Sequence, residues 1–245
     1  MSGKKRRPFE LQHFTITQEK VSLPVTTDAC IFGAITEFQN PKNILDVGCG
    51  SGILMFLMHQ KYPNAHIFGL EKHPESVQTV QENIRLNNTA TAMSVQEVDW
   101  WDFNPETPVD AKICNPPFFS NHLPSQELSK RNARHTDNYE LWQLLVHMSH
   151  WLAHEGVLSM LVPYETLGQL EHLNLEKTTH LLFLKQAQTI QAFHDSKPHL
   201  AVVHFQKKSC DYRTIDPLIV YDKPNQFTEK SKQVLQAFLQ ERALK

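Results

Sequence analysis

The chain has no long hydrophobic run and only four cysteines among its 245 residues. No apolar stretch approaches the roughly 18 residues that a membrane-spanning helix needs, and no charged start with an apolar middle marks a secretion leader. The cysteines are scattered without C-x-x-C spacing, which argues against disulfides and structural zinc and favours a reducing compartment. We therefore expect a soluble, cytoplasmic protein without a bound metal.

The chain also has little net charge, because 24 basic residues face 26 acidic ones. The charges are nevertheless divided unevenly: residues 1–20 and 204–245 each carry an excess of three positive charges, whereas the middle of the chain is acidic. The sharpest basic run is Lys4, Lys5, Arg6 and Arg7. Contact with a polyanion is therefore expected through the two ends, although Lys4 to Arg7 also fit a solvated tail.

A glycine loop follows the first apolar run, residues 43–47. Gly48, Gly50 and Gly52 lie between this predicted strand and a predicted helix that begins near Ile53. The G-x-G-x-G spacing lacks the third glycine position of a dinucleotide fingerprint. Asp46, just before the loop, would repel a phosphate but suits the ammonium of an amino acid moiety. This combination favours S-adenosylmethionine as the cofactor.

Acidic residues end the next two predicted strands. Glu71 ends the strand at residues 65–70 and occupies the position where a carboxylate commonly binds ribose hydroxyls. Asp99 follows the strand at residues 93–98 and offers an acceptor for the cofactor adenine, with Trp100 beside it as a possible stacking ring. Glu71 can also be a solvated carboxylate, and Trp100 can belong to the core.

The most specific motif follows the fourth predicted strand, residues 111–114. It consists of Asn115, Pro116, Pro117 and Phe118, and open α/β sheets place their ligands at this end of the strands. The Asn115 side-chain oxygen and the Pro116 carbonyl can accept both hydrogens of a planar amine, while the prolines stiffen the turn. Phe118 offers a flat face to a base. The motif therefore predicts methyl transfer to a nitrogen, for which no metal is required.

Basic residues after this motif are candidates for substrate contact. Arg131 and Arg134 follow the motif and could meet a phosphate of an incoming nucleic acid. An ordinary position on a helix surface fits them equally well. His147, His150 and His154 have helical spacing, but no cysteine or carboxylate completes a metal site. We expect no metal there.

The pattern of apolar segments predicts an α/β fold with a mostly parallel sheet of seven strands, an antiparallel edge strand and helices on both faces. A helix is expected over residues 138–153, and a final amphipathic helix over residues 228–239. One structural domain is expected, in which residues 1–40 form a basic segment and cofactor lid, 41–207 the core and 208–245 an extension.

The glycine loop, Glu71, Asp99 and the Asn-Pro-Pro-Phe motif resemble those of class I S-adenosylmethionine-dependent methyltransferases, which have a Rossmann-like fold. More closely, the chain resembles bacterial tRNA adenine-N6 methyltransferases that modify position 37 of valine tRNA. The stretches that carry this resemblance are residues 9–14, 25–28, 131–135 and 197–199. The resemblance implies a tRNA substrate, and a monomer is favoured.

The sequence departs from this family around the expected lid. Members usually have K-V-G-T-D-G where this chain has residues 24–29, with Thr27 and Asp28 but neither glycine. The resemblance assigns Thr27 and Asp28 to the lid over the cofactor. A lid without these glycines is expected to have a different geometry.

Several other functions fit the same motif. Guanine-N2 methylation of ribosomal RNA and N5 methylation of a protein glutamine also require a grip on a planar amine. The first family typically has a duplicated domain, and the second usually has a helical N-terminal domain, which this chain has no room for before residue 48. A protein that binds the cofactor or RNA without catalysis is the alternative from a different class.

Overall fold

The computed structural model describes residues 6–21, 24–116, 133–176 and 182–244, without the side chains of residues 133–140 and 173–176. Its centre is an eight-stranded sheet in which seven strands share one direction. In chain order the strands of this sheet are β3 (Asn43–Val47), β4 (His66–Glu71), β5 (Met93–Glu97), β6 (Val109–Cys114), β7 (Leu152–Pro163), β8 (Phe183–Gln191), β9 (Pro198–Gln206) and β10 (Arg213–Ile219). The spatial order is β10-β8-β9-β7-β6-β3-β4-β5. The prediction of a mostly parallel α/β sheet is thus confirmed.

Two details of the predicted sheet are wrong. The sheet has eight strands because β10, from the expected C-terminal extension, pairs in parallel with β8. The antiparallel strand is β9, which lies between β7 and β8 and is not an edge strand. The predicted extension therefore completes the sheet.

Helices cover both faces of the sheet, as predicted. They are α1 (Thr27–Ile35), α2 (Ile53–Lys61), α3 (Pro74–Leu86), α4 (Ala133–Ser149), α5 (Tyr164–Glu176) and α6 (Glu229–Leu235). Residues of α1, α2, α3 and α6 share one buried cluster with Ile44, whereas residues of α4 and α5 share a second with Leu45 and Val47. Successive side chains of β3 thus point to opposite faces of the sheet, and both faces are buried. No helix in the described part of the chain is long and apolar enough to cross a membrane.

The two ends of the chain pack together beside the first cluster. Strands β1 (Phe9–Glu10) and β2 (Thr15–Ile16) form a small antiparallel sheet, and Leu11 forms a β-bridge with Leu239. The Gln12 amide donates to the Phe238 carbonyl at 2.6 Å. Strands β11 (Tyr221–Lys223) and β12 (Gln226–Phe227) form a third sheet before α6. The ends that share an excess of positive charge are therefore neighbours in space.

Gly69 in β4 brings the glycine loop close to the sheet. A Cβ atom at this position would lie 2.6 Å from the Met55 sulfur and 2.8 Å from the Cys49 sulfur. Gly69→Ala is therefore expected to lower the free energy of unfolding by about 1–3 kcal/mol, measured by urea denaturation. Gly168→Ala in α5 is the matched control, because no described heavy atom beyond its chain neighbours and its own helix backbone lies within 4 Å of its Cβ position. This control is expected to be neutral or to stabilise by about 0.5–1 kcal/mol, and equal midpoints for both variants would contradict the close approach.

Candidate active site

The predicted site residues converge on the carboxyl edge of the sheet. Register pairs Asp46 with Gly69 and Ile113, and Val47 with Leu70 and Cys114. Asn115, one residue beyond Cys114, therefore follows β6 beside the start of the glycine loop. The Cys114 thiol donates to the Val47 carbonyl at 3.3 Å across these two strands. Sequence motifs about 65 residues apart thus lie at adjacent strand ends.

The glycine loop is held by backbone and carboxylate acceptors. Gly48, Gly50 and Gly52 have positive φ values of 74°, 56° and 81°, which explains why this turn needs glycine. The amides of Gly48 and Cys49 both donate to the Leu70 carbonyl at 2.9 Å. Among the described residues, and apart from the chain neighbours of each glycine, no atom lies within 4 Å of a Cβ position at Gly48 or Gly50, so their backbone borders space that no described residue fills. The loop is therefore shaped for close approach of a ligand.

Glu71 binds the glycine loop from the end of β4. Its Oε2 accepts from the Gly50 amide at 3.0 Å, and its Oε1 accepts from the His73 amide at 2.9 Å. The side chain is buried, and each carboxylate oxygen keeps lone-pair capacity for a second donor. These two hydrogen bonds fix the orientation of the Glu71 carboxylate, and the sequence did not predict them.

Asp46 is fully buried, and neither carboxylate oxygen has a hydrogen-bond partner in normal geometry among the described residues. Desolvation by burial raises the pKa of Asp46 from 3.8 to about 8. The charge of Glu71 adds to the increase, and the nearby Met55 amide opposes it only partly. An unpaired buried carboxylate is costly unless a cationic or hydrogen-bonding partner approaches it. The ammonium of a methionine moiety is such a partner, so this chemistry fits S-adenosylmethionine.

Asp99 and Trp100 lie next to this site, after β5. The Asp99 carboxylate accepts from the Trp101 amide at 3.2 Å and lies 3.8 Å from the Lys72 ammonium. The rings of Trp100 and Trp101 stack at 4.1 Å, and the partly buried Trp100 also packs against the second core cluster. A ring nitrogen of His147 lies 2.7 Å from the Trp100 carbonyl, which ties this loop to α4. The ring of Trp100 thus packs against the core beside Asp99, and its stacking on a cofactor adenine stays a prediction.

Asn115 and Pro116 are described, whereas Pro117 and Phe118 lie outside the described residues. The Asn115 side chain is exposed, and Pro116 is buried. Among the described residues, none hydrogen bonds the Asn115 carboxamide, which follows β6 at the edge where Asp46 and Glu71 lie. Burial raises the pKa of the Cys49 and Cys114 thiols, which keeps them protonated and poor as nucleophiles. Neither thiol is therefore a candidate nucleophile at this edge.

The predicted substrate-binding residues are only partly described. Arg6 and Arg7 are exposed, and the Arg6 guanidinium donates to the Val21 carbonyl at 2.7 Å. The buried Gln18 side chain donates to the Arg7 carbonyl and accepts from the Val25 amide at 2.7 Å. These bonds place the basic segment near the start of α1. Arg134 lies in the first turn of α4 without a described side chain, and Lys4, Lys5 and Arg131 lie outside the described residues.

The predicted lid residues begin α1. The Thr26 hydroxyl caps this helix by accepting from the Ala29 amide at 3.1 Å, which makes Thr27 and Asp28 its first two residues. The Asp28 carboxylate lies 3.6 Å from the His199 ring at the start of β9. Both residues belong to stretches that carry the family resemblance, but their contact was not predicted.

Asn83 is a structural residue that sequence reasoning missed. This fully buried side chain accepts from the Thr17 amide at 2.8 Å and donates to the Ser51 carbonyl at 3.2 Å. It therefore joins the N-terminal segment to the glycine loop. The only sequence signal was an asparagine among the inward-facing positions of α3.

The three spaced histidines do not share a helix. Helix α4 ends at Ser149, so His147 lies within α4, His150 after it and His154 in β7. The predicted helix over residues 138–153 was therefore wrong at its end. Burial lowers the pKa of His147. No cluster of three or more metal-ligating side chains occurs within the described ranges.

A cavity of about 460 Å³ opens at the opposite, amino edge of the sheet. Its lining includes Lys42, Asp110 and the buried His204, whose pKa burial lowers to about 4. None of the predicted site residues that the structure describes lines it. The cavity is therefore separate from the carboxyl edge.

Known methyltransferases are similar to this chain in sequence. Residues 34–174 match the family model described as the methyltransferase small domain. The chain is 30% identical over 225 residues to the tRNA1(Val) (adenine(37)-N6)-methyltransferase of Haemophilus influenzae, covering 90% of this chain and 93% of that protein. The protein of the same name from Actinobacillus pleuropneumoniae serotype 5b is 29% identical, covering 96% of this chain and 98% of that protein.

Solved structures share the fold at lower identity. A protein from Agrobacterium tumefaciens, described as a predicted O-methyltransferase, has a TM-score of 0.64 at 15% identity and covers 86% of this chain and 96% of its own. The TYW2 protein of Pyrococcus horikoshii, solved in complex with MeSAdo, has a TM-score of 0.55 at 13% identity and covers 80% of this chain and 70% of its own. The expected Rossmann-like class I methyltransferase fold is confirmed. The chain belongs to the methyltransferase small domain family and to the family of the tRNA1(Val) (adenine(37)-N6)-methyltransferases.

Proposed function

We propose that this methyltransferase transfers the methyl group of S-adenosylmethionine to N6 of an adenine in tRNA. The proposed target is the adenine at position 37 of valine tRNA, which is the nucleotide in the names of its relatives. The observation that carries the proposal is the position of Asn115 at the end of β6, beside Gly48 and the buried carboxylate of Asp46. A cytoplasmic location is part of the proposal, because tRNA is the substrate.

Four side chains and the glycine loop are assigned to the cofactor. Asp46 would hold the ammonium, Glu71 the ribose hydroxyls, and Asp99 with Trp100 the adenine, while Gly48, Gly50 and Gly52 allow close approach. The unpaired oxygens of Asp46 and the open space over Gly48 and Gly50 support this assignment. When bound, S-adenosylmethionine supplies an electrophilic methyl group, so no metal is needed. Thr27 and Asp28 remain the proposed lid over this site.

Asn115 and Pro116 are assigned to the target amine. The adenine N6 lone pair is delocalised into the ring, which makes this nitrogen a poor nucleophile. The Asn115 carboxamide oxygen and the Pro116 carbonyl each accept one N6 hydrogen, which localises the lone pair and aims it at the methyl donor. The proton leaves after transfer. Phe118 is proposed to stack on the target adenine.

An unpaired base in a tRNA loop is a suitable target, because it can enter a pocket with little cost in lost stacking. Arg6 and Arg7 are proposed to contact phosphates, since they are exposed and tied to the segment before α1. Lys4, Lys5, Arg131 and Arg134 are assigned to the same role on sequence grounds. A monomer is the proposed active form.

The test is methyl transfer to defined nucleic acid and protein pools. The enzyme is incubated with labelled S-adenosylmethionine and tRNA from cells that lack it, and the RNA is digested and mapped. The expected product is N6-methyladenosine at position 37 of valine tRNA. N2-methylguanosine from ribosomal RNA or methylglutamine from protein would overturn the assignment in favour of the alternatives. Cofactor binding without transfer to any pool would indicate a binding protein.

A further inference from the structure

The carboxyl edge carries an exposed aromatic residue outside the predicted site. Among the described residues, the exposed aromatic side chains are Trp101, Tyr164, Phe193 and Tyr212. Tyr212 donates its hydroxyl to Glu171 at 2.6 Å, and Trp101 stacks on Trp100 beside the proposed adenine site. Tyr164 and Phe193 follow β7 and β8 at the edge where Asn115 follows β6. Exposed aromatic rings thus extend beyond the target site along one edge.

Phe193 lies within reach of nucleotides that flank the target base. Strand β8 is separated from β6 by β9 and β7, which makes three strand spacings or about 14 Å. Tyr164 follows the strand next to β6 and so lies between Asn115 and Phe193 along the edge. An RNA loop with one base at Asn115 would therefore extend neighbouring nucleotides towards Phe193.

The loop that carries Phe193 is braced by its own hydrogen bonds. The Phe193 amide donates to the Ser196 hydroxyl at 3.0 Å, and the Ser196 amide donates to the Phe193 carbonyl at 3.0 Å. The Gln191 side chain donates to the carbonyls of Phe193 and His194, both at 2.8 Å. These bonds hold the backbone of the loop at Phe193, which lowers the entropy lost on binding.

The Phe193 ring also packs against other aromatic rings. Its centroid lies 5.9 Å from that of Tyr221, which in turn lies 5.0 Å from that of Phe227. Phe193 is the outermost ring of this series and is 36% exposed. Charges near Phe193 and Tyr221 in the chain balance, since two lysines, Lys197 and Lys223, accompany two aspartates, Asp195 and Asp222. The surface is thus suited to stacking more than to phosphate binding.

We propose that Phe193 is a stacking platform for an unpaired RNA base other than the methylated one. The inference rests on the proposed function, because it takes the substrate to be an RNA loop. Stacking of a base on an aromatic ring tolerates any base, so the platform would contribute affinity and would orient the loop without reading its sequence. No covalent step is involved.

The test compares Phe193→Ala with Leu86→Ala, an exposed apolar residue at the end of α3 on the opposite edge. Phe193→Ala is expected to raise the KM for tRNA by roughly 5- to 100-fold, with Leu86→Ala unchanged. Phe193→Trp is expected to restore the affinity. The dependence of binding on salt should be the same for Phe193→Ala and the original protein, because no phosphate contact is lost. Cofactor affinity should also stay the same.

A second measurement uses the original protein and tRNA loops in which one unpaired nucleotide at a time is abasic. One abasic position outside the target should weaken binding in the original protein but not further in Phe193→Ala. The platform would be ruled out if every abasic position weakened binding equally in the original protein and in Phe193→Ala. An unchanged KM for Phe193→Ala would also rule it out, and in both cases methylation would continue. If the original protein neither bound nor methylated tRNA, the proposed function would fail first, so the two failures are distinguishable.

Discussion

Asn115→Ala is expected to lower kcat by about 100- to 1000-fold while leaving the dissociation constant for the cofactor within about twofold. Asn115 is exposed at the end of β6 and has no hydrogen bond to a described residue, so its replacement breaks no hydrogen bond within the described part of the protein. Its proposed role exists only when the target amine is present. Single-turnover methylation of tRNA measures the first effect, and calorimetric titration with S-adenosylhomocysteine measures the second.

Asn43→Ala is the matched control for this experiment. Asn43 is likewise exposed, but it begins β3 at the amino edge of the sheet. Its replacement should leave turnover unchanged. A rate for Asn115→Ala within a few fold of the original would remove the proposed grip on the amine. A large loss of cofactor affinity would instead show that Asn115 belongs to the cofactor site.

The parallel half of the fold was predictable because its signals are local. Strand β3 was predicted at residues 43–47 and spans Asn43–Val47, since an apolar run followed by glycines marks both ends of a buried strand. Alternating strands and helices then fix the carboxyl edge, where Asp46, Glu71 and Asn115 meet. Their shared edge follows from topology alone. The convergence of the main site was therefore accessible from sequence.

The end of α4 was not predictable because it depends on tertiary contacts. Residues 150–153 fit a continued helical pattern, yet Trp151 has a φ of 58° and Leu152 begins β7. The buried Lys112 ammonium accounts for this end by donating to the carbonyls of Met148 and His150, and it lies 5.1 Å from the Trp151 ring. A lysine nearly 40 residues upstream therefore helps end the helix. Local sequence patterns do not contain such information.

The supporting partners of the site were missed for the same reason. Asp28 and His199 lie 3.6 Å apart although 171 positions separate them in the chain. Asn83 joins Thr17 to Ser51 through hydrogen bonds over 66 and 32 positions. Motif spacing identifies candidate ligand-binding residues, whereas the residues that hold them in place depend on how distant segments of the chain pack.

Asp46→Asn is expected to abolish tight cofactor binding and, at the same time, to make the folded protein more stable at alkaline pH. The pKa of Asp46 is raised from 3.8 to about 8, chiefly because burial disfavours the carboxylate. Ionisation in the folded state is therefore less favourable than in the unfolded state, and stability is lost as pH rises from about 4 to about 8. Asparagine does not ionise. The free energy of unfolding of Asp46→Asn, relative to that of the original protein, should therefore rise by about 2–3 kcal/mol between pH 6 and pH 8 and then level off.

The pH dependence separates this effect from the constant cost of a buried asparagine amide, which shifts stability equally at every pH. Urea unfolding of both proteins from pH 5 to pH 9 measures the difference, and Asp216→Asn, a substitution on the exposed part of β10, serves as the control. A constant difference for Asp46→Asn would mean that a hydrogen-bond partner holds its carboxylate ionised in the absence of ligand. The expected result has two parts: Asp46→Asn binds the cofactor at least 10-fold more weakly, and its stability advantage grows with pH. Together they would show that the ionised Asp46 carboxylate destabilises the free protein and binds the cofactor.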